Sequence, residues 1–238
     1  MITRRTIPVI LCFAFSAPSS AVPAAGADKT TVRQSIGYMR TADYWAKQLE
    51  FGKAVAAASQ AIALTPNEAA LYSQRAGYRA KCFDFKKAVA DYRKATSLDP
   101  KAAGYQREMG KLLLEIGQPE EGLVALSRSI QLEPTDVGGY MWRSNAYEHR
   151  GQYDKAVGDL RTAVKLAPKR AEIYEKLGAD LLKVHHTQEA IDIFTVCIKI
   201  APDLPASYYG RADAYSLLKN EALAQKDLAI AHKLDEQY

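Results

Sequence analysis

The chain has 238 residues, of which 48% are hydrophobic and 25% are charged, values that exclude a collagen-like fibre, a disordered tail and a polytopic membrane protein. The formal net charge is +5, from 32 basic and 27 acidic residues. Because Lys and Arg are not concentrated in one segment, this charge does not indicate a protein that binds nucleic acid.

The first 27 residues have the order of a secretory signal peptide. Arg4 and Arg5 precede an apolar run over residues 7–17, small residues follow, and there is no acidic residue. The run has about half of the roughly 20 residues that a spanning helix needs, and three prolines disfavour both a membrane anchor and a buried first helix. We therefore expect cleavage before Asp28 and a periplasmic or secreted chain, with 30 basic and 27 acidic residues and a net charge of +3.

After a lead-in over residues 28–34, landmark residues recur every 34 positions. The prolines are Pro66, Pro100, Pro134, Pro168 and Pro202. One of three columns of small residues is Ala42, Ala76, Gly110, Ser144, Gly178 and Ala212. Small residues at a fixed interval allow helices to approach closely, and a period of this length indicates a repeat architecture. The six repeats are 35–68, 69–102, 103–136, 137–170, 171–204 and 205–238.

Each repeat is predicted to contain two helices. Apolar residues follow a period near 3.6, which is typical of a helix. Turn sequences such as Gly117-Gln118-Pro119 interrupt this pattern in the middle of the unit, and the recurring proline ends the second helix. A repeat is therefore a helix-turn-helix hairpin.

This pattern resembles the tetratricopeptide repeat, whose signature has small residues at the eighth, twentieth and twenty-seventh positions and a proline near the end. Residues 140–147 and 208–215 are typical of it. The resemblance implies an all-α, right-handed superhelical α-solenoid in which the first helix of each pair lines a concave groove. The family's carboxylate clamp, which grips the C-terminal tails of heat-shock proteins, needs a set of Lys, Arg and Asn residues that no three successive repeats supply here.

The inner face of the first helices, taken at i, i+3 and i+7, gives candidate residues for a partner-binding groove. They are Met39, Asp43, Lys81, Arg107, Lys111, Met141, Asn145, Glu148, Glu175, Tyr209 and Asp213. We expect an extended peptide or a partner helix to lie there, with an acidic group or C-terminal carboxylate near Lys81, Arg107 and Lys111. The other interpretation is that these charges form ordinary solvated helix faces.

The sequence contains neither a phosphate-binding glycine loop nor a known hydrolase motif, and the pair His185-His186 is interpreted as part of a turn. We therefore expect a non-catalytic scaffold without cofactor or metal that binds a protein or peptide in cell-envelope assembly or quality control. The alternative is a structural subunit of an oligomer, assembled through the uncapped last repeat at Leu228, Ile230 and Leu234.

Overall fold

The computed structural model describes residues 28–236, which form twelve α-helices and no strand. The prediction of an all-α fold is confirmed. The helices are α1 (Lys29–Lys47), α2 (Phe51–Leu64), α3 (Ala69–Lys81), α4 (Phe85–Leu98), α5 (Ala103–Glu115), α6 (Pro119–Leu132), α7 (Val137–His149), α8 (Tyr153–Leu166), α9 (Ala171–Lys183), α10 (Thr187–Ile200), α11 (Pro205–Leu217) and α12 (Glu221–Asp235). The predicted signal segment, residues 1–27, lies outside the described residues.

The chain divides into two compact units, the first ending at Ile116 and the second beginning at Gly117. In unit 1, α1 pairs with α2 and α3 pairs with α4, while α2 packs on α3 and α4 packs on α5. Alanines from the small columns, including Ala42, Ala61 and Ala76, are fully buried between these helices. Because α1 begins at Lys29, most of the predicted lead-in is helical.

Unit 2 follows the same alternation through α6 to α12. The pairs α7–α8, α9–α10 and α11–α12 form hairpins, and α6, α8 and α10 each pack on the helix that follows. Its core includes Leu160, Ile173, Leu181 and Phe194. No helix within residues 28–236 has both the length and the apolar character needed to cross a membrane.

Three of the recurring prolines accept a hydrogen bond from a tyrosine of the helix that follows. In three places, a tyrosine hydroxyl near the start of a first helix donates to the carbonyl of the proline six residues earlier. The pairs are Tyr72–Pro66, Tyr174–Pro168 and Tyr208–Pro202, each at 3.0 Å. Each bond ties the loop between two repeats to the first helix of the next repeat.

The turn inside each repeat has one residue in the left-handed region of backbone space. These residues are Leu49, Phe83, Gly117, Gly151, His185 and Lys219, with φ from 57° to 76°. Side chains other than glycine pay about 1–2 kcal/mol for this conformation. Since four of the six positions are not glycine, the packing of the two helices imposes the turn.

The close approach of helices in unit 2 depends on two glycines around Phe194. A Cβ atom added at Gly178 would lie 2.7 Å from the Phe194 ring, and one added at Gly210 would lie 2.3 Å from it. The Phe194 side chain is almost fully buried. The aromatic ring therefore occupies the space that the absent side chains of α9 and α11 leave.

A buried ion pair recurs in every second repeat. Arg143 on α7 donates to both carboxylate oxygens of Asp159 on α8, at 2.8 and 2.7 Å, and to the hydroxyl of Ser127 on α6 at 3.3 Å. The same triple recurs 68 residues away in each direction, as Arg75, Asp91 and Ser59 and as Arg211, Asp227 and Thr195. Each triple links a hairpin to the helix before it.

The first, third and fifth repeats have no such pair at the corresponding positions. Those positions hold Thr41 and Ala57, Met109 and Ala125, and Leu177 and Ile193. The fold therefore accepts either an ion pair or two uncharged side chains at these positions.

Because alternate repeats lack the ion pair, substitutions can measure its contribution to the free energy of unfolding. We expect Arg143→Leu or Asp159→Ile alone to lower the free energy of unfolding by about 3–5 kcal/mol, because each leaves a buried charge without its partner. The double variant copies Leu177 and Ile193 of the fifth repeat and should lose less than about 1.5 kcal/mol. Urea unfolding of the three variants measures this, and additive losses in the double variant would contradict it.

Candidate functional site

Unit 1 contains a cavity of about 430 Å³ between α1 and α3. Its apolar lining includes Val32, Ile36 and Met39 from α1 and Leu71 from α3. Val32 and Ile36 are 41% and 50% exposed, whereas Met39 is only 8% exposed. The cavity therefore has an apolar floor and an open apolar edge.

Two pairs of polar side chains at the cavity are held by hydrogen bonds. The hydroxyls of Ser35 and Thr65 lie 2.8 Å apart and are buried. Asp43 accepts a 2.5 Å hydrogen bond from the hydroxyl of Tyr78, and burial together with this carboxylate raises the pKa of Tyr78. Tyr78 therefore remains a donor at neutral pH and orients Asp43 at the side of the cavity.

The three basic residues predicted to meet an acidic ligand are all in unit 1. Lys81 is exposed at the end of α3, and Arg107 and Lys111 are half-buried on α5. The Arg107 guanidinium lies 3.3 Å from the Glu108 carboxylate. The structure therefore presents these groups on first helices, with Arg107 partly neutralised by its neighbour.

In unit 2, two of the predicted residues meet through a lysine that the sequence analysis did not select. The ammonium of Lys176 on α9 donates to the side-chain oxygen of Asn145 at 2.5 Å. It also lies 3.1 and 3.4 Å from the two carboxylate oxygens of Glu148. Asn145 and Glu148 are both on α7, so Lys176 connects the first helices of two successive repeats.

Asp180 lies one helical turn beyond Lys176 on α9, on the same side of the helix. It is only 5% exposed, and its Oδ2 atom has no hydrogen-bond partner among the described residues. Burial, and then the charge of Glu148, raise the pKa of Asp180 to about 7, against the opposing effect of Lys176 and Lys183. Asp180 therefore keeps one buried carboxylate oxygen without a donor from residues 28–236.

The remaining predicted groove residues are dispersed. Met141 packs against the core cluster of unit 2, and Glu175 is half-buried on α9. The Tyr209 hydroxyl donates to Asp235 at 2.6 Å, whereas Asp213 is exposed on α11.

The apolar residues proposed for self-association, Leu228, Ile230 and Leu234, are half-buried. Leu217 and Leu218, at the end of α11, are more exposed, at 62% and 49%.

The sequence alone could have indicated Asp180 as a candidate functional residue. The equivalent positions of the other repeats hold Tyr44, Tyr78, Leu112, Ala146 and Ala214. Asp180 is thus the one charged residue in an apolar and aromatic column, and such an exception indicates either a compensating partner or a function.

Comparison with known proteins identifies the repeats. A tetratricopeptide repeat family model matches residues 137–170, and a second tetratricopeptide repeat model matches residues 69–102. Small glutamine-rich tetratricopeptide repeat-containing protein 2 of Mycosarcoma maydis is 28% identical over 114 residues, which are 45% of this chain and 32% of that protein. The chain spans about a third or less of the length of the curated relatives it matches.

Several solved structures share the fold, PilF and YrrB among them. PilF of Pseudomonas aeruginosa has a TM-score of 0.72 at 16% identity, over 88% of this chain and 94% of that one. YrrB, a tetratricopeptide repeat protein with an unusual peptide-binding site, has a TM-score of 0.66 at 19% identity, over 76% of this chain and 93% of that one. At these identities the likeness shows the fold.

The raised pKa of Asp180 predicts a distinct dependence of stability on pH. Its carboxyl titrates near pH 7 in the folded chain and near 3.8 when exposed, so the folded state holds this proton more strongly. The resulting stability is present in full below about pH 4 and is lost as pH rises through 7. We expect Asp180→Asn to raise the free energy of unfolding at pH 8 by about 2–4 kcal/mol.

Denaturant unfolding at pH 5 and pH 8 tests this expectation. The matched control is Asp192→Asn on α10, because Asp192 is exposed. The difference between Asp180→Asn and the unsubstituted chain should grow from pH 5 to pH 8, while the control difference stays constant. An equal difference for Asp180→Asn at both pH values would show that this carboxyl titrates normally.

Proposed function

Because this chain is a tetratricopeptide repeat protein, we propose that it is a non-catalytic scaffold that binds an acidic peptide segment of a partner protein on the first helices of unit 1. The cavity between α1 and α3 is the observation that carries this proposal. Its volume of about 430 Å³ lies within the range of sites that hold small ligands. One apolar side chain of the partner enters it and contacts Ile36, Met39 and Leu71.

The charge of unit 1 favours an acidic ligand. Arg75 and Arg79 both pair with Asp91 and are largely buried, so they are not available to a partner. The other charges on α1, α3 and α5 comprise seven basic and three acidic residues. They are Lys29, Arg33, Arg40, Lys47, Lys81, Arg107 and Lys111 against Asp43, Glu108 and Glu115. This excess attracts acidic segments and speeds their association.

We place this activity in the cell envelope, in assembly or quality control. The support is the signal-peptide pattern of residues 1–27, which leads us to propose a periplasmic or secreted chain. The peptide-binding site of YrrB supports the choice of a peptide as ligand.

A structural subunit is the second candidate, favoured by exposed leucines in unit 2. Leu217, Leu218 and Leu223 are 62%, 49% and 38% exposed, and a second copy would cover them. If this function is correct, Leu217→Lys/Leu218→Lys should shift a dimer toward monomer in sedimentation at high concentration. A monomeric unsubstituted chain at the same concentration would exclude it.

The peptide proposal is tested with ten-residue fluorescent peptides that hold one leucine or phenylalanine among acidic, neutral or basic residues. We expect the acidic set to bind, and replacement of its apolar residue by alanine to weaken binding at least tenfold. Ala70→Trp should fill the cavity and abolish this binding, because Ala70 lines it and is exposed. Fluorescence anisotropy measures each affinity.

The matched control is Ala90→Trp on α4, where the alanine is also exposed and does not line the cavity. It should bind the acidic peptides normally. Charge reversal by Arg107→Glu/Lys111→Glu should weaken them, and Lys86→Glu/Lys94→Glu on α4 should not. Unchanged affinity in both Ala70→Trp and the Arg107→Glu/Lys111→Glu variant would refute the proposal.

A further inference from the structure

The carboxylate of Asp180 is buried, and one of its oxygens has no hydrogen-bond partner in the part of the chain that the structure describes. Its Oδ2 atom has no hydrogen-bond donor among residues 28–236, although the side chain is 95% removed from solvent. Burying such a group without a partner costs several kcal/mol, and most buried polar groups in proteins are therefore paired. A partner that comes from another molecule accounts for this arrangement.

The charges around Asp180 define what that partner must be. Glu148 approaches from α7, and Lys176 and Lys183 lie on α9 itself. The ammonium of Lys176 is already engaged by Asn145 and Glu148. Lys176 and Lys183 therefore offset the charge of the two carboxylates, but neither donates a hydrogen bond to Oδ2 of Asp180.

Taken together, the first helices of unit 2 carry more unpaired acidic residues than basic ones. Arg143 and Arg211 are neutralised by Asp159 and Asp227. The other charges on α7, α9 and α11 are five acidic residues and two basic ones. They are Glu148, Glu172, Glu175, Asp180 and Asp213 against Lys176 and Lys183. This surface attracts a cationic ligand, whereas the first helices of unit 1 attract an anionic one.

We propose that Asp180 and Glu148 form a binding site for a cationic side chain, arginine or lysine, of a partner peptide. The ligand donates to Oδ2 of Asp180 and to the Glu148 carboxylate, while Lys176 stays on Asn145. An arginine suits the site best, because its planar group can donate to both carboxylates at once. The inference rests on the proposed function only in taking a peptide as the ligand.

A metal ion fits this place less well than an organic cation. No group of three or more His, Cys, Asp and Glu side chains in the described part of the chain is arranged to hold one. The oxygen ligands here are two carboxylates and one amide, and Lys176 already occupies the amide and one carboxylate. Hard cations such as Ca²⁺ take six to eight oxygen ligands.

The test uses three small probes that differ only in the end of the side chain. N-acetyl-arginine methylamide, N-acetyl-lysine methylamide and the uncharged N-acetyl-norleucine methylamide are each titrated into the full chain, and amide shifts are followed by NMR. We expect arginine and lysine to shift amides of α7 and α9 saturably, at least tenfold more tightly than norleucine. Asp180→Asn should abolish this difference, and Asp192→Asn should preserve it.

Dependence on pH supplies a readout that a purely structural role would not give. The pKa of Asp180 is raised to about 7 by burial and by Glu148, so its carboxyl must lose a proton to receive the ligand. The affinity for arginine should therefore rise about tenfold from pH 6 to pH 8.

Several results would overturn the inference. These are equal affinities for arginine and norleucine, an unchanged arginine affinity in Asp180→Asn, or saturation of the same amides by micromolar Ca²⁺. Acidic-peptide binding in Asp180→Asn separates the two proposals, because it should be normal. Loss of acidic-peptide binding in Ala70→Trp with arginine binding intact would likewise show that the two sites are independent.

Discussion

An arginine held by both carboxylate oxygens of an aspartate fixes how the two helices of alternate hairpins are rotated against each other. In unit 2 the Arg143 guanidinium lies between Asp159 on α8 and Ser127 on α6. A planar group with several fixed donors accepts little rotation. The sides of α7 that face outward, including those of Asn145 and Glu148, are set by this geometry.

The first helices of the two units offer charges of opposite sign to a partner, and counting the paired arginines changes neither sign. Once the paired arginines are set aside, the first helices of unit 1 are basic and those of unit 2 are acidic.

At Asp180, the feature that is proposed to favour ligand binding lowers the stability of the fold. The buried Asp180 carboxyl lowers stability at neutral pH because its charge is desolvated beside Glu148, and a cationic ligand would remove that cost.

Several features followed from the sequence because they depend on local spacing. The 34-residue columns correctly indicated which residues are small and buried, as at Ala42 and Ala76. The turns were harder, because glycine marks only Gly117 and Gly151, while Leu49 and Phe83 take the same left-handed conformation without a local signal. In the candidate site, Asn145 and Glu148, which the sequence analysis named as groove residues, both contact Lys176, and Met39 is mostly buried at the floor of the cavity.

The sequence by itself determined the helices and their alternation along the chain, because a period of 3.6 within a period of 34 favours paired helices whose apolar stripes face each other. Tertiary structure alone decided which polar residues meet. Lys176 joins Asn145 from 31 positions away, and no described residue donates to Oδ2 of Asp180. Both outcomes depend on how closely successive hairpins pack, and no local pattern encodes that distance.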